Sequence, residues 1–232
     1  MKDLIFIPAR SGSKGIKNKN LTKINNKCLI DYTLDFAYKI LKNYKNLDIL
    51  ISSDSKKILN RCKSYSYNYD YNRPRYLAKD NSLVIDSILH GVTWYESNYQ
   101  KINNLIMLQP TNPYRIFKDF KEIYNKFIKN NKFPVVSVIK MKEHPSECIY
   151  LKNGKWKYVY KNKSKYYGRQ SYDNNFYFID GSFYLSSLNY LKKNRAFLVE
   201  NHTNFFKLSH NYPFDIDNKN DLKLIKSFKF LK

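Results

Sequence analysis

Acidic residues are scarce in this chain: 19 Asp and Glu stand against 42 Lys and Arg in 232 residues, a formal charge of +23. Cysteine is scarcer still. Cys28, Cys62 and Cys148 are odd in number and widely spaced, which argues against a disulfide framework or a zinc knuckle and leaves ordinary reduced thiols. No apolar run approaches the roughly 18 residues that a membrane span requires, and no N-terminal signal pattern precedes the first hydrophobic strand. A cytoplasmic protein without a membrane partner is expected. Repeats and low-complexity linkers are also missing, so one domain over residues 1–232 is expected. The excess of positive charge raises nucleic-acid binding as a hypothesis. Its distribution argues otherwise: lysines are scattered among Asn, Tyr and Ile, with no concentrated basic helix or tail. The 22 Tyr and 15 Phe are interleaved throughout, so no stacking platform stands out. No nucleic-acid partner is expected.

What is present is an alternation of apolar strands and amphipathic helices, the pattern of a largely parallel sheet covered on both faces. Leu4 to Ile7, Leu47 to Ser52, Leu105 to Leu108 and Val135 to Ile139 read as strands. Ile30, Leu34, Ala37, Ile40 and Leu41 recur at helical spacing, as do Ile85, Ile88, Leu89 and Val92. A further helix starts near Asp54 or Ser55, both good caps, and another runs from Lys118 to Ile128. Residues 143–190 break the rhythm and read as a β-rich excursion, with Gly181 as a bend or bulge in the apolar run Phe176 to Leu185.

Two of the chain's 6 glycines, Gly12 and Gly15, fall in one loop after the first strand, together with Arg10, Ser13, Lys14 and Lys19. Glycines let a backbone approach a ligand, cations neutralise a polyphosphate, and loop N–H groups cradle it. The spacing fits neither G-x-x-x-x-G-K-[ST] nor G-x-G-x-x-G, so a P-loop and a dinucleotide fingerprint are both excluded. A flexible basic turn remains the plainer reading. The late pair Asp215 and Asp217 is the second chemical element: in extended backbone, residues two apart share a face, so both carboxylates can approach one hard cation while Ile216 turns inward. The alternative for this pair is a solvated strand end or a helix cap, for which Asp217 before Asn218 is suited.

The run Phe6 to Asn20 resembles the N-terminal motif of the acylneuraminate cytidylyltransferases, the CMP-sialic acid synthetases and their relatives. Four further segments extend the resemblance in order: Ile51-Ser52-Ser53-Asp54; Arg73-Pro74-Arg75-Tyr76-Leu77-Ala78-Lys79-Asp80; Leu108-Gln109-Pro110-Thr111-Asn112-Pro113-Tyr114-Arg115; and Asp215-Ile216-Asp217 before Asp221-Leu222. The resemblance implies a three-layer α/β fold with a mostly parallel, nucleotide-diphospho-sugar-transferase-like sheet, and a small β-rich dimerisation excursion that makes a homodimer. It implies transfer of CMP from CTP to the C2 hydroxyl of a nonulosonic sugar acid, with release of pyrophosphate.

By the same resemblance Ala9, Arg10, Gly12, Ser13, Lys14, Asn20, Arg73 and Ser82 bind the nucleotide, with Arg73 near the cytosine and Asn20 at the ribose. Arg10, Lys14, Lys19 and Asp217 are implied in catalysis, and Asp215 and Asp217 in holding Mg²⁺ or Mn²⁺. Gln109 and the pair Arg169 and Gln170 are implied in binding the sugar acid, and His144-Pro145 resembles a loop near it; an exposed arginine on a loop is the plain alternative for Arg169. The chain departs from the pattern at Asn81-Ser82-Leu83-Val84, and at Tyr177, Phe178 and Asp180 before Gly181. Those departures leave open which nonulosonate is used, N-acetylneuraminic, legionaminic or pseudaminic. The competing readings are an eight-carbon ulosonate cytidylyltransferase, a sugar-1-phosphate nucleotidyltransferase and a noncatalytic nucleic-acid-binding protein.

Overall fold

Residues 3 to 7 of the first strand are all buried, which only a strand covered on both faces allows. In the computed structural model, which describes residues 1–65, 67, 69–130, 132–160 and 175–228, this strand, β1 (Lys2–Pro8), lies inside a six-stranded sheet. It pairs in parallel with β4 (Leu47–Ser52) on one side and β5 (Ile102–Met107) on the other. A short hairpin, β2 (Lys23–Ile24) and β3 (Lys27–Cys28), precedes helix α1 (Leu29–Asn43). Helices α2 (Lys56–Lys63) and α3 (Val84–Asn98) both lie between β4 and β5, and α4 (Phe117–Lys129) follows β5. The rest of the sheet is β6 (Val135–Lys140), β9 (Tyr177–Ser187) and β10 (Asn204–Lys207), giving the order β10-β6-β9-β5-β1-β4. β6 and β10 are parallel to each other, while β9 runs antiparallel to both of its neighbours.

Alternation along β1 divides the core. Ile5 and Ile7 point to the face packed by Ile30, Leu34, Ala37 and Ile40 of α1 and by Phe120, Ile123 and Phe127 of α4. Leu4 and Phe6 point to the opposite face, with Ile85, Ile88, Val92 and Tyr95 of α3 and Leu188 and Leu191 of α5 (Leu188–Asn194). The expected three layers are present. A third, smaller cluster joins Ile16 of the first loop to Ile24, Leu29, Phe214, Ile216 and Ile225, the last on α6 (Lys219–Ser227).

The segment read as a β-rich excursion over 143–190 divides in two. A hairpin, β7 (Ile149–Lys152) and β8 (Lys155–Tyr158), is exposed along its whole length and stands apart from the main sheet. β9, in contrast, sits in the middle of that sheet, with residues 180–183 buried. An apolar run looks the same in either setting; only its two pairing partners show which it is. Gly181 takes φ +84°, a conformation suited to glycine, beside the register shift between Val136 and Val138. Of the two caps read at α2, Ser55 accepts the hydrogen bond from Ile58 N, and Asp54 is engaged elsewhere. Among the described residues no helix is long and apolar enough to cross a membrane.

Adjacent residues of α4 provide a test of this packing, because Phe127 is wholly buried and Ile128 is 46% exposed. Phe127→Ala is expected to destabilise the fold by about 3–5 kcal/mol, and Ile128→Ala by under ~0.5 kcal/mol, as read from urea unfolding curves.

Candidate active site

The loops that follow β1, β4 and β5 leave the same edge of the sheet, because parallel strands end together there. Ser11 ties the first loop to the second: its amide donates to Asp54 Oδ1 at 2.8 Å and its hydroxyl to Oδ2 at 2.6 Å. Asn20 ties the first loop to itself, donating from Nδ2 to the Arg10 carbonyl at 2.9 Å. Ala9 is fully buried and donates its amide to the Ser52 carbonyl. These bonds set the direction in which the loop's cations project.

A cleft opens at this edge. Arg10, Gly12, Ser13, Lys19 and Asn20 line it from the first loop, Arg73, Asp80 and Ser82 from the segment before α3, and Gln109, Pro110 and Thr111 from the loop after β5. Arg73 is almost wholly buried. Its Nε donates to Ser52 Oγ at 2.9 Å and its Nη2 to the Ser52 carbonyl at 2.7 Å, and burial pulls its pKa down to about 10, so it stays a cation at neutral pH. Ser82 Oγ donates to the Tyr76 carbonyl, closing the turn that carries Asp80. Asp80 accepts from Arg10 Nη1 at 2.8 Å and lies 3.5 Å from Lys14 Nζ.

The late acidic segment reaches the first loop at Lys19, beside the cleft. Lys19 Nζ donates to the Ile216 carbonyl at 2.9 Å and to Asp217 Oδ1 at 3.0 Å, across 198 positions of sequence. A Cβ on Gly15 would lie 2.0 Å from the Asp217 carbonyl oxygen, so this glycine is required by the approach of the 215–217 segment. Gly12, with its nearest contact at 4.0 Å, faces the cleft instead. Ile216 is fully buried and its amide donates to the Thr111 carbonyl, which adds the loop after β5 to the assembly. Asp217 is 73% exposed and does not cap α6; Asn218 does, in a capping box with Asp221. Asp215 has a buried Oδ1 without a hydrogen-bond partner, and its pKa is raised, first by burial and then by Asp217, against the pull of Thr111 and Lys19. An orphaned carboxylate oxygen beside a second carboxylate fits a hard divalent cation. Among the described residues no group of three or more His, Cys, Asp or Glu is placed to hold a metal alone, so further ligands would have to come from elsewhere.

Beneath Gln109 lies a polar network that sequence reasoning missed. Arg115, partly buried, donates to the carbonyls of Gln109, Asn112 and Ser182 and to Thr33 Oγ1, and desolvation lowers its pKa to about 9. Asp180 is buried, accepting from the hydroxyls of Ser137 and Ser182 and from Asn112 Nδ2. The Gln109 side chain lies against Gly181, where a Cβ would come within 2.9 Å of its Oε1. The one available signal was the arginine closing the segment Leu108 to Arg115; nothing in the pattern showed that Asp180 would face it. His144 caps a short 3₁₀ turn, Pro145–Glu147, by accepting from Ser146 N. Arg169 and Gln170 lie outside the described residues.

Comparison with known proteins gives the family and the fold. The family described as cytidylyltransferase matches residues 4–232. The chain is 28% identical over 228 residues to a pseudaminic acid cytidylyltransferase from Campylobacter jejuni, covering 97% of this chain and 95% of that protein. It is 26% identical over 221 residues to an N-acylneuraminate cytidylyltransferase from Streptococcus agalactiae, covering 95% of this chain and 52% of that protein. Its fold matches a solved CMP:2-keto-3-deoxy-manno-octonic acid synthetase complexed with CTP at TM-score 0.69 and 14% identity, over 98% of both chains. The resemblance read from five sequence segments and the expected α/β fold both hold, and the chain belongs to the cytidylyltransferase family of nucleotidyltransferases.

Proposed function

We propose that the protein transfers CMP from CTP to the anomeric C2 hydroxyl of a nonulosonic sugar acid and releases pyrophosphate. The observation that carries this reading is the bond between Lys19, in the basic glycine-containing loop that lines the cleft, and Asp217 of the late acidic pair, 198 positions away. Relatives named for pseudaminic acid and for N-acylneuraminate support the class of acceptor.

Phosphoryl-type transfer asks for positioning and for neutralisation of charge as it grows on the leaving group. Arg10 and Lys19, with Lys14 close by at Asp80, would supply cations, and Ser13 and the loop amides around Gly12 donors, to the polyphosphate. Arg73 and Asn20 line the same cleft and would hold the nucleoside. Asp215 and Asp217 would hold Mg²⁺ or Mn²⁺, which when bound to the phosphates supplies charge neutralisation and makes the acceptor hydroxyl more acidic. One of these carboxylates would take the hydroxyl proton. Gln109, fixed by Arg115 and Gly181, would orient the sugar acid, with Arg169 and Gln170 as further contacts. A homodimer is supported by the hairpin β7–β8, which exposes Leu151, Trp156 and Val159 to 58–66% of their surface, a patch that a partner would cover.

In an assay of pyrophosphate release with four nucleoside triphosphates and a panel of eight- and nine-carbon 2-keto sugar acids, only CTP with a nonulosonate is expected to react. Lys19→Ala and Asp217→Asn are each expected to lower the rate by ~10² or more, the scale of losing one preorganised charge contact, and EDTA is expected to abolish it. UTP or GTP with a hexose phosphate reacting faster would overturn the assignment. Gly181→Ala should displace Gln109 and raise KM for the sugar acid severalfold while leaving KM for CTP near the wild-type value, as read from initial rates with each substrate varied. By sedimentation, the protein is expected to run as a dimer, and Leu151→Asp combined with Trp156→Asp to run as a monomer.

A further inference from the structure

Two of the loop's cations already have an anion. Asp80 Oδ1 accepts from Arg10 Nη1 at 2.8 Å, and Asp80 Oδ2 lies 3.5 Å from Lys14 Nζ. The same carboxylate lines the cleft and is 46% exposed, and Lys14 is 82% exposed. Ion pairs this open contribute little to folding, so fold stability does not account for an acid here. Its position has a cost for binding: a carboxylate beside the phosphate cations repels any incoming anion. Arg10 has a second hold that does not depend on the acid, a hydrogen bond from Nη1 to the Ala78 carbonyl at 3.3 Å.

We propose that Asp80 is an internal counter-anion of the phosphate site, holding Arg10 and Lys14 in place until a polyphosphate displaces it and re-engaging them as pyrophosphate leaves. This rests on the reading of the cleft as a triphosphate site. The arrangement keeps two mobile cations oriented toward one another's position, so less side-chain freedom is lost when the phosphates arrive. It also weakens ground-state binding of every anion alike, which benefits turnover because tight product binding slows release without speeding the chemical step. Lys19 is set apart from this device: its partners are Asp217 and the Ile216 carbonyl. Asp80 acts through Arg10 and Lys14, as a positioning residue.

The test is calorimetric titration of the full chain with inorganic pyrophosphate and with CTP, for the wild type, Asp80→Asn, Asp80→Ser and Asp80→Glu, with the pyrophosphate inhibition constant measured in parallel. The two neutral variants are expected to bind pyrophosphate and CTP roughly threefold to tenfold more tightly than the wild type, the scale of removing two exposed ion pairs, with the inhibition constant falling in proportion. Asp80→Glu is expected to stay near the wild type. Damage to the turn cannot tighten binding, so a gain of affinity separates this role from a structural one. Unchanged or weaker binding in the neutral variants, with a wild type that binds and turns over CTP, overturns the counter-anion role alone. A wild type that binds neither pyrophosphate nor CTP overturns the triphosphate reading together with it.

Discussion

The burial of Ile216 against Ile16 is the contact on which the site depends. Ile216 sits between two acidic residues, and extended backbone places its side chain opposite theirs. Once it enters the small cluster with Ile24, Phe214 and Ile225, Asp215 and Asp217 are carried to the rim of the first loop. Two hydrogen bonds and a bare glycine secure the seating: Lys19 gripping the Ile216 carbonyl, the Ile216 amide on the Thr111 carbonyl, and Gly15 admitting the Asp217 backbone. A hydrophobic contact thus sets the distance between cations and carboxylates, which neither could set while exposed to water.

Charge compensation is the second organising constraint. A chain of formal charge +23 can crowd cations at one loop only if they are oriented by anions or carbonyls nearby. Asp54 fixes Ser11, Asp80 faces Arg10 and Lys14, and Asp217 faces Lys19, so three of the few acidic residues surround one loop. Deeper in the protein, Arg115 and Asp180 lie in a shared network of hydroxyls and carbonyls that leaves the guanidinium satisfied without a direct ion pair. That network links β6, β9, α1 and the loop after β5, so the position of Gln109 is tied to the packing of the sheet.

Much of the fold was legible along the chain. Leu4 to Ile7 is a continuous apolar run and Val135 to Ile139 one broken only by the buried Ser137, because both faces of their strands are buried, and the stripe through Ile30, Leu34 and Ile40 follows from a single covered helix face. The 143–190 segment was less legible. Apolar residues in β9 read as part of an excursion because pairing partners leave no local trace, and β9 takes Val135, Val138, Leu105 and Met107 as neighbours from far up the chain. The candidate site behaved in the same way: the loop cations were picked out by local pattern and Arg73 and Gln109 by the resemblance, whereas Asp54, read as a cap, and Asp180, read as a departure, gained their hydrogen-bond partners only from residues brought in by the fold.

By itself, the order of residues determined the layers of the sheet, the basic loop after the first strand and the two-residue spacing that puts Asp215 and Asp217 on one side of the backbone, since each is a matter of local geometry. Tertiary structure alone decided that Asp217 meets Lys19 instead of capping α6, that Asp80 confronts Arg10 and Lys14, and that β9 enters the sheet against its neighbours' direction. The physical reason is range: backbone periodicity acts over a few residues, but a charge or an apolar side chain finds its partner through space, and here the partners lie as many as 198 positions apart.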